Sequence, residues 1–212
     1  EVADGADPGP DDGIGEAGGW APGLTSARPM AVPGSWNEQY DDLFGYLDLA
    51  WYARKVYVPS GWQGQRVFIR VGSAVYQGTV YLNGVKVGTH EGGHLPFAFE
   101  ITDMITWDAE NVVAISVENQ LKPSRVPSGN MPGGEMSLFA STPKTTYDFY
   151  PFAGIHRPVV LYSVPQTYVE DITVVTEVAG ANGVVKVKVK LNAAVVGHGI
   201  ARVTGDDVKY EA

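Results

Sequence analysis

Cysteine is absent from this chain of 212 residues, and long apolar runs are absent as well. Without cysteine, the protein has no disulfide bond, no thiolate nucleophile and no cysteine-based zinc site. No apolar run approaches the ~18 to 20 residues of a membrane-spanning helix, and the first residues lack the basic-then-apolar pattern of a signal peptide. These absences favour a cytoplasmic protein without a membrane partner.

Basic residues are scarce, since 15 Lys and Arg stand against 24 Asp and Glu, and the net charge is -9. Phosphate binding draws on clustered Lys and Arg, so this balance argues against a nucleic-acid partner. The acidity is local, because the first sixteen residues hold six acids and no base. Residues 1–23 also hold seven Gly and three Pro. They are predicted to form a flexible acidic segment, and they lack the ligand spacing of a calcium loop.

The sequence does contain many strand-forming residues separated by turn formers. Hydrophobic residues make up 44% and charged residues 18%, with 26 Gly and 14 Pro, which suits a turn-rich all-β protein. Asn83-Gly84 between two aliphatic runs is a strong hairpin signal, because both residues tolerate the positive φ of a type I′ turn. Short strands joined by such turns are typical of a sandwich or jelly roll. The strands predicted up to Pro165 are Trp51–Val58, Gln65–Val71, Ala74–Leu82, Val85–Val87, Phe97–Ile101, Asn111–Glu118 and Arg157–Val164.

A second unit is predicted after Pro165, where new strands follow at Tyr168–Val175 and Val184–Leu191. The latter alternates strictly between apolar residues and lysines, as in a strand with one buried and one wet face. Asn182-Gly183 is predicted to form a hairpin turn before it. The unit holds about 46 residues, whereas an immunoglobulin-like sandwich takes about 100. Residues 166–212 are therefore expected to be the beginning of a larger domain.

The run His90-Glu91-Gly92-Gly93-His94 matches the HExxH pattern, in which two histidines bind zinc from one face of a helix and the glutamate acts as base. Two adjacent glycines cost about 2 kcal/mol of helix propensity relative to alanine, and Pro96 follows closely. We therefore predict a loop between strands at this run, and no metal site. Nucleophile elbows of the GxSxG type and phosphate-binding glycine loops are absent from the sequence.

An aromatic loop with a single acid precedes the last strand of the first unit. It follows residues 119–147, which contain four prolines and three glycines and show no convincing period. Long loops in compact domains are often functional, and a disordered insertion is the alternative. The run Tyr147-Asp148-Phe149-Tyr150-Pro151-Phe152 is suited to hold a polar group beside a ligand, unless Asp148 only caps a turn. His156 is expected to pack or hydrogen-bond where the loop meets the strand.

Five stretches of the chain resemble family 2 glycoside hydrolases, most closely the β-glucuronidases of that family. Their order and spacing match, and together they cover most of residues 30–180. They are VPGSWNEQY at 32–40, WYARKVYVPSGWQGQRVFIRV at 51–71, YQGTVYLNGVKVGTHEGGHLPF at 76–97, YDFYPFAGIHRPVVLY at 147–162 and VPQTYVEDITVVTEV at 164–178.

The resemblance implies a jelly-roll, galactose-binding-like β-sandwich that binds sugar over residues 24–165, and an immunoglobulin-like β-sandwich from residue 166. In this family a TIM barrel follows and carries two catalytic glutamates, so this chain is expected to lack the catalytic residues and to be inactive alone. Only Asp148 transfers as a substrate-binding residue, because the family's acid at this place hydrogen-bonds hydroxyls of the bound sugar. The implied partners are a β-glucuronide or related glycoside and further copies of the intact protein. No cofactor is implied, although related galactosidases use magnesium and sodium.

Adjacent acids elsewhere in the chain do not fit glycosidase chemistry. A retaining glycosidase places two carboxylates about 5 to 5.5 Å apart across one sugar, whereas neighbours on an extended chain point in different directions. Asp41-Asp42 and Asp206-Asp207 are therefore predicted to be turn residues. Asn37-Glu38 is not expected to supply a catalytic acid, because it lies in a loop rich in Pro and Gly.

Two other functions that involve sugar are compatible with the sequence besides that of a β-glucuronidase. One is a β-galactosidase of the same family, because the residues that recognise the glucuronate carboxylate belong to the barrel. The other is a stand-alone carbohydrate-binding module without catalysis. A β-sandwich adhesion domain, which would bind no sugar, is the least specific reading.

Overall fold

The computed structural model describes residues 2–4, 27–128, 145, 147–194, 200, 202–204 and 209–211. In these ranges every regular element is a β-strand or a 3-10 helix of three residues, and no helix has the length and apolarity to cross a membrane. The predicted all-β fold class is confirmed. The strands are β1 (Val2–Asp4), β2 (Gly34–Ser35), β3 (Leu49–Val58), β4 (Arg66–Val71), β5 (Gln77–Leu82), β6 (Val85–Glu91), β7 (Phe97–Glu100), β8 (Ala109–Glu118), β9 (Gly154–Ile155), β10 (Val159–Val164), β11 (Val169–Ala179), β12 (Asn182–Leu191), β13 (Arg202–Thr204) and β14 (Lys209–Glu211).

The chain divides into two compact units, Glu1–Ser163 and Val164–Ala212. In the first unit, a five-stranded sheet of order β1-β3-β8-β5-β6 packs against a three-stranded sheet of order β10-β4-β7. Inward-facing side chains of both sheets form one core, because successive residues of a strand point to opposite faces. Ile115 comes from the first sheet, Ile69 from the second, and the fully buried Trp36 from the segment that precedes β3.

The hairpin predicted at Asn83-Gly84 is confirmed. It joins β5 to β6 with Leu82 opposite Val85, and both turn residues have positive φ, at 51° and 84°. The predicted start of β5 at Ala74 is wrong, because the regular pairing begins only at Gln77. Val75 instead bridges Gly154, and the Tyr76 N–H donates to the Glu118 carbonyl at 2.9 Å. The chain before β5 therefore lies beside the start of β9.

In the part of the second unit that the structure describes, β11 pairs with β12 in a hairpin, and β13 pairs with β14 in antiparallel orientation. The strict alternation predicted for β12 is confirmed, and its valines face Thr176, Val174 and Ile172 across the hairpin. The turn predicted at Asn182-Gly183 is wrong by two residues, because Ala179 pairs with Asn182 and the turn is Gly180–Ala181. Gly180 supplies the positive φ, at 64°, that a tight hairpin turn requires.

One prediction for β12 does not hold in the described part of the chain. The valine face was expected to be buried, but Val185, Val187 and Val189 are between 44% and 51% exposed. On the opposite face the lysines make ion pairs with β11, including Lys186 with Glu177 and Lys190 with Glu170, both at 2.8 Å. Alternation alone therefore identified the two faces but not their burial.

Candidate functional site

Asp148 lies on the surface of the first unit, in the short loop Tyr147–Phe152 that leads into β9. Its side chain is exposed, and the neighbouring Phe149 is 57% exposed. The aromatic residues on either side of this pair are partly buried and contact the body of the sandwich. The loop is thus held at two points, with the acid between them.

The first anchor of the loop is Tyr147. Its hydroxyl hydrogen-bonds the hydroxyl of Tyr76 at 2.9 Å, and its carbonyl accepts a hydrogen bond from Thr145 Oγ1 at 2.7 Å. The Tyr147 ring also contacts the ring of Phe149, with centroids 4.3 Å apart. Burial raises the pKa of both tyrosines, most strongly that of Tyr76. Both phenols therefore stay neutral at physiological pH, and each can donate.

The second anchor is Tyr150. Its hydroxyl donates to the Phe44 carbonyl, and the two rings pack with centroids 4.8 Å apart. The ring of Phe152 lies 4.8 Å from that of Tyr150, and the Phe152 N–H donates to the Tyr150 carbonyl at 2.9 Å. Two aromatic contacts and a turn thus fix the loop after Asp148.

The buried side chain of Asn37 connects this second anchor to the framework. Asn37 Nδ2 donates to the carbonyls of Leu43 and Phe44, each at 2.9 Å, while Asn37 Oδ1 accepts the Ala153 N–H at 2.8 Å. Asn37 and Glu38 belong to a 3-10 helix over Trp36–Glu38. Every polar atom of this amide is engaged in holding main chain, which fits the expectation that Asn37-Glu38 is not a catalytic pair.

Sequence reasoning missed Tyr76, Phe44 and Asn37 as residues of this site. The hydrogen bond of Tyr147 spans 71 residues of sequence, and that of Tyr150 spans 106. No local pattern marks a partner at such separations. The only available signal was the density of tyrosines in the loop, because a partly buried phenol usually has a hydrogen-bond partner.

The arrangement suits an acid that contacts a ligand held partly by another surface. A carboxylate accepts strong hydrogen bonds from hydroxyl groups, and a loop that is already fixed loses little entropy on binding. An exposed acid must also compete with water, so it gains little affinity unless the site is closed off. A groove of about 840 Å³, lined mostly by apolar residues, runs between β3, β8 and β10 and does not include the loop.

The HExxH-like run does not form a metal site of the kind its pattern suggests. His90 and Glu91 are the last residues of β6, which corrects the predicted loop for these two residues. The His90 ring stacks on Phe97 with centroids 4.6 Å apart, and Glu91 accepts a hydrogen bond from Arg125 Nε at 2.9 Å. Among the residues that the structure describes, no group of three or more His, Asp or Glu could hold a metal ion.

The remaining candidates are not part of the loop, or they lie outside the described residues. Asp41 and Asp42 belong to a 3-10 helix over Asp41–Leu43, and Asp42 receives two hydrogen bonds from Arg28, at 2.6 and 2.9 Å. Those bonds lower the pKa of Asp42. His156 follows β9 and is partly buried, and this burial lowers the pKa of its imidazole. Asp206-Asp207 lies outside the described residues.

Known proteins match most of this chain. The profile of the family described as "Glycosyl hydrolases family 2, sugar binding domain" matches residues 8–165. Among curated relatives, the β-glucuronidase of Paenibacillus borealis is 36% identical over 167 residues, which are 76% of this chain and 28% of that protein. The human β-glucuronidase is 33% identical over 189 residues, 82% of this chain and 28% of its own length. The chain thus spans little more than a quarter of the curated relatives it matches.

Solved structures give the same result. The β-glucuronidase of Lactobacillus rhamnosus has a TM-score of 0.75 and 33% identity, over 85% of this chain and 31% of that one. The β-glucuronidase of Ruminococcus gnavus in complex with D-glucuronic acid has a TM-score of 0.75 and 28% identity, over 88% and 32% of the two chains. These matches confirm the resemblance seen in the five sequence stretches. The chain belongs to family 2 of the glycosyl hydrolases, with the sugar-binding domain of that family over residues 8–165.

Proposed function

We propose that the complete protein is a retaining glycoside hydrolase that acts on β-D-glucuronides, and that Asp148 hydrogen-bonds hydroxyls of the bound sugar. The observation that carries the proposal is the position of Asp148, exposed on a loop anchored on both sides by tyrosines. The relatives reported above are β-glucuronidases, and one of them is in complex with D-glucuronic acid. Their names favour a glucuronide over a galactoside as the substrate.

The proposal includes a division of labour within the complete protein. One glutamate of a TIM barrel attacks the anomeric carbon, and a second glutamate protonates the leaving oxygen, as in retaining glycosidases generally. Residues 24–165 form the sugar-binding domain that contributes Asp148, and residues 166–212 begin an immunoglobulin-like domain. On this proposal the 212 residues alone have no hydrolytic activity.

The replacement of Asp148 by alanine tests its role. Each hydrogen bond from a hydroxyl to the carboxylate is worth about 1.5 to 3 kcal/mol. We therefore expect Asp148→Ala in the full-length gene product to lower kcat/KM for a chromogenic β-glucuronide by roughly ten- to a hundredfold or more. Asp103→Ala, which removes another exposed acid of the same unit, is the matched control and is expected to have no effect. Unchanged kinetics in Asp148→Ala would exclude the role.

Parallel assays of the full-length product and of the 212-residue chain separate the functions that the sequence leaves open. We expect the full-length product to hydrolyse a chromogenic glucuronide faster than the corresponding galactoside, and the 212-residue chain to hydrolyse neither. The opposite preference would indicate a β-galactosidase. Glycan binding without hydrolysis by the full-length product would indicate a carbohydrate-binding module.

The remaining parts of the proposal concern partners and compartment. We propose that the intact enzyme forms a homo-oligomer in the cytoplasm and has no nucleic-acid or membrane partner. The absence of cysteine supports the compartment, and the net charge of -9 supports the absence of a nucleic-acid or anionic-membrane partner. Light scattering of the full-length product measures the oligomer, and a single-subunit mass would contradict it.

A further inference from the structure

Arg125 is a buried cation at the start of the stretch between β8 and the Asp148 loop. Its side chain is 2% exposed. Nη1 and Nη2 bind the two carboxylate oxygens of Glu118, both at 2.7 Å, and Nε binds Glu91 at 2.9 Å. Nη1 also donates to the Gln120 carbonyl at 2.6 Å. A bidentate guanidinium of this kind is fixed in position, because its planar donors match the carboxylate geometry.

The guanidinium in turn lies against Tyr76. The Arg125 Cζ atom is 5.7 Å from the centroid of the Tyr76 ring, within the range of a cation–π contact. Tyr76 is buried and is held through its own main chain as well, because its carbonyl accepts the Gly92 N–H at 3.0 Å. A Cβ on Gly93 would stand 3.2 Å from the Tyr76 ring. The same Cβ would also stand 3.2 Å from Val75 Cα, so a larger residue at this second glycine of the HExxH-like run would press on both Val75 and Tyr76.

We propose that Glu91, Gly93 and Arg125 set the position of Asp148 through Tyr76. The positioning cluster for sugar binding consists of Glu91, Gly93, Arg125 and Tyr76. The connection runs from the Glu91–Arg125 ion pair to the Tyr76 ring, and from the Tyr76 hydroxyl to Tyr147, the residue before Asp148. This inference rests on the proposed function, because it assigns the cluster to the site where Asp148 contacts the sugar. It also gives the HExxH-like run a role that involves no metal.

The sharpest variant is Tyr76→Phe, which removes one hydroxyl and keeps the ring. The loss of one hydrogen bond between neutral groups lowers a binding or rate constant by about three- to tenfold. We expect Tyr76→Phe in the full-length enzyme to lower kcat/KM for a chromogenic β-glucuronide by about that factor, mainly through KM. Tyr147→Phe removes the partner hydroxyl and is expected to have the same effect. The matched control is Tyr57→Phe, since Tyr57 is exposed and hydrogen-bonds Asp108 instead. This control is expected to leave kcat and KM unchanged.

The background of Asp148→Ala distinguishes positioning from a general loss of structure. If Tyr76 acts through Asp148, Tyr76→Phe changes kcat/KM by a factor close to one in the Asp148→Ala enzyme. A further three- to tenfold loss in that background would overturn the inference, as would wild-type kinetics for Tyr76→Phe alone. Unchanged kinetics for Asp148→Ala alone would instead exclude the proposed function, so the two failures are distinguishable.

Hydrogen exchange gives a second readout that does not depend on activity. In the 212-residue chain, Tyr76→Phe and Gly93→Ala are expected to speed amide exchange in residues 147–150 at least threefold relative to the wild type. Tyr57→Phe is expected to leave that exchange unchanged. Equal exchange of this segment in the wild type and in Tyr76→Phe would show that the hydroxyl does not hold the loop, and it would overturn the inference.

Discussion

β8 and β12 are both strands of ten residues, and both are rich in valine, yet their surroundings differ completely. In β8, residues 111–117 are all buried, because the strand has a neighbour on each side and a second sheet over its inner face, while on its outer face Trp51 and Tyr81 pack around Ala114. In β12, the valine face is about half exposed in the described part of the chain, and the only strand that pairs with β12 there is β11. The comparison shows that alternation determines which face is apolar, whereas burial depends on whether another layer covers that face.

The largest effect is expected at Gly154 of the first unit, and Gly180 of the second unit, which also has a positive φ, is the comparison. Gly154 has a φ of 121°, and a Cβ there would stand 2.9 Å from the Tyr52 hydroxyl, whereas Gly180 has a φ of 64° and nothing within 4 Å. Gly154→Ala combines backbone strain with overpacking, so we expect it to cost about 3 kcal/mol of unfolding free energy. Gly180→Ala is expected to cost about 1 kcal/mol, from the left-handed backbone alone.

Tryptophan fluorescence during urea unfolding measures the first of these variants, because all five tryptophans lie in the first unit. Hydrogen exchange of the β11–β12 amides measures the second. Equal losses at the two glycines would mean that packing around Gly154 contributes nothing, and the contrast between the two units would fail.

A matched pair of valines tests the same contrast without backbone strain. Val117 in β8 is fully buried, while Val187 in β12 is 44% exposed. Val117→Ala removes two buried methyl groups and leaves a cavity, so we expect a loss of about 2 kcal/mol, seen as a lower urea midpoint in tryptophan fluorescence. Val187→Ala is expected to change the stability of its hairpin by about 0.5 kcal/mol or less. A loss of 2 kcal/mol at Val187 would show that its face is covered in solution.

The smallest effect concerns ion pairs, and it depends on pH. Partial burial acts to raise the pKa of Glu118, but hydrogen bonds from Arg125 and Lys122 outweigh it and hold that pKa below its ordinary value. A carboxyl whose pKa is lower in the folded state contributes stability above its unfolded pKa of about 4.3, and this contribution is lost as the pH falls through the folded value. We therefore expect the urea concentration at the unfolding midpoint of the first unit to decrease when the pH drops below about 4.5.

Glu118→Gln tests this explanation, because it removes the titrating group. The variant is expected to be less stable than the wild type at pH 7 and to lose less stability between pH 5 and pH 3. In the second unit, the exposed pair of Lys186 and Glu177 is expected to contribute almost nothing. Lys186→Ala should leave exchange in the β11–β12 hairpin unchanged across the same range. If the urea midpoints of the wild type and of Glu118→Gln changed with pH in the same way, a group other than Glu118 would cause the acid sensitivity.

The sequence predicted local features well, because their causes are local. Asn83-Gly84 forms its turn since the two residues themselves accept positive φ, and the alternation of β12 follows from the two-residue period of a strand. The turn at Gly180 was misplaced because Ala179 and Asn182 pair, and this pairing depends on the register of the whole hairpin. The anchors of Asp148 could not be found, because their partners are 71 and 106 residues away.

The two anchors also bear on how the loop folds while the protein is being synthesised. Phe44 and Tyr76, which receive Tyr150 and Tyr147, both precede Asp148 in the chain. Strands β3 to β8, which hold the partner of the first anchor, are also synthesised before the loop. Domains generally fold as units during synthesis. The residues that receive the loop are already part of the chain when Asp148 is added, so both anchors can form once Tyr150 has left the ribosome.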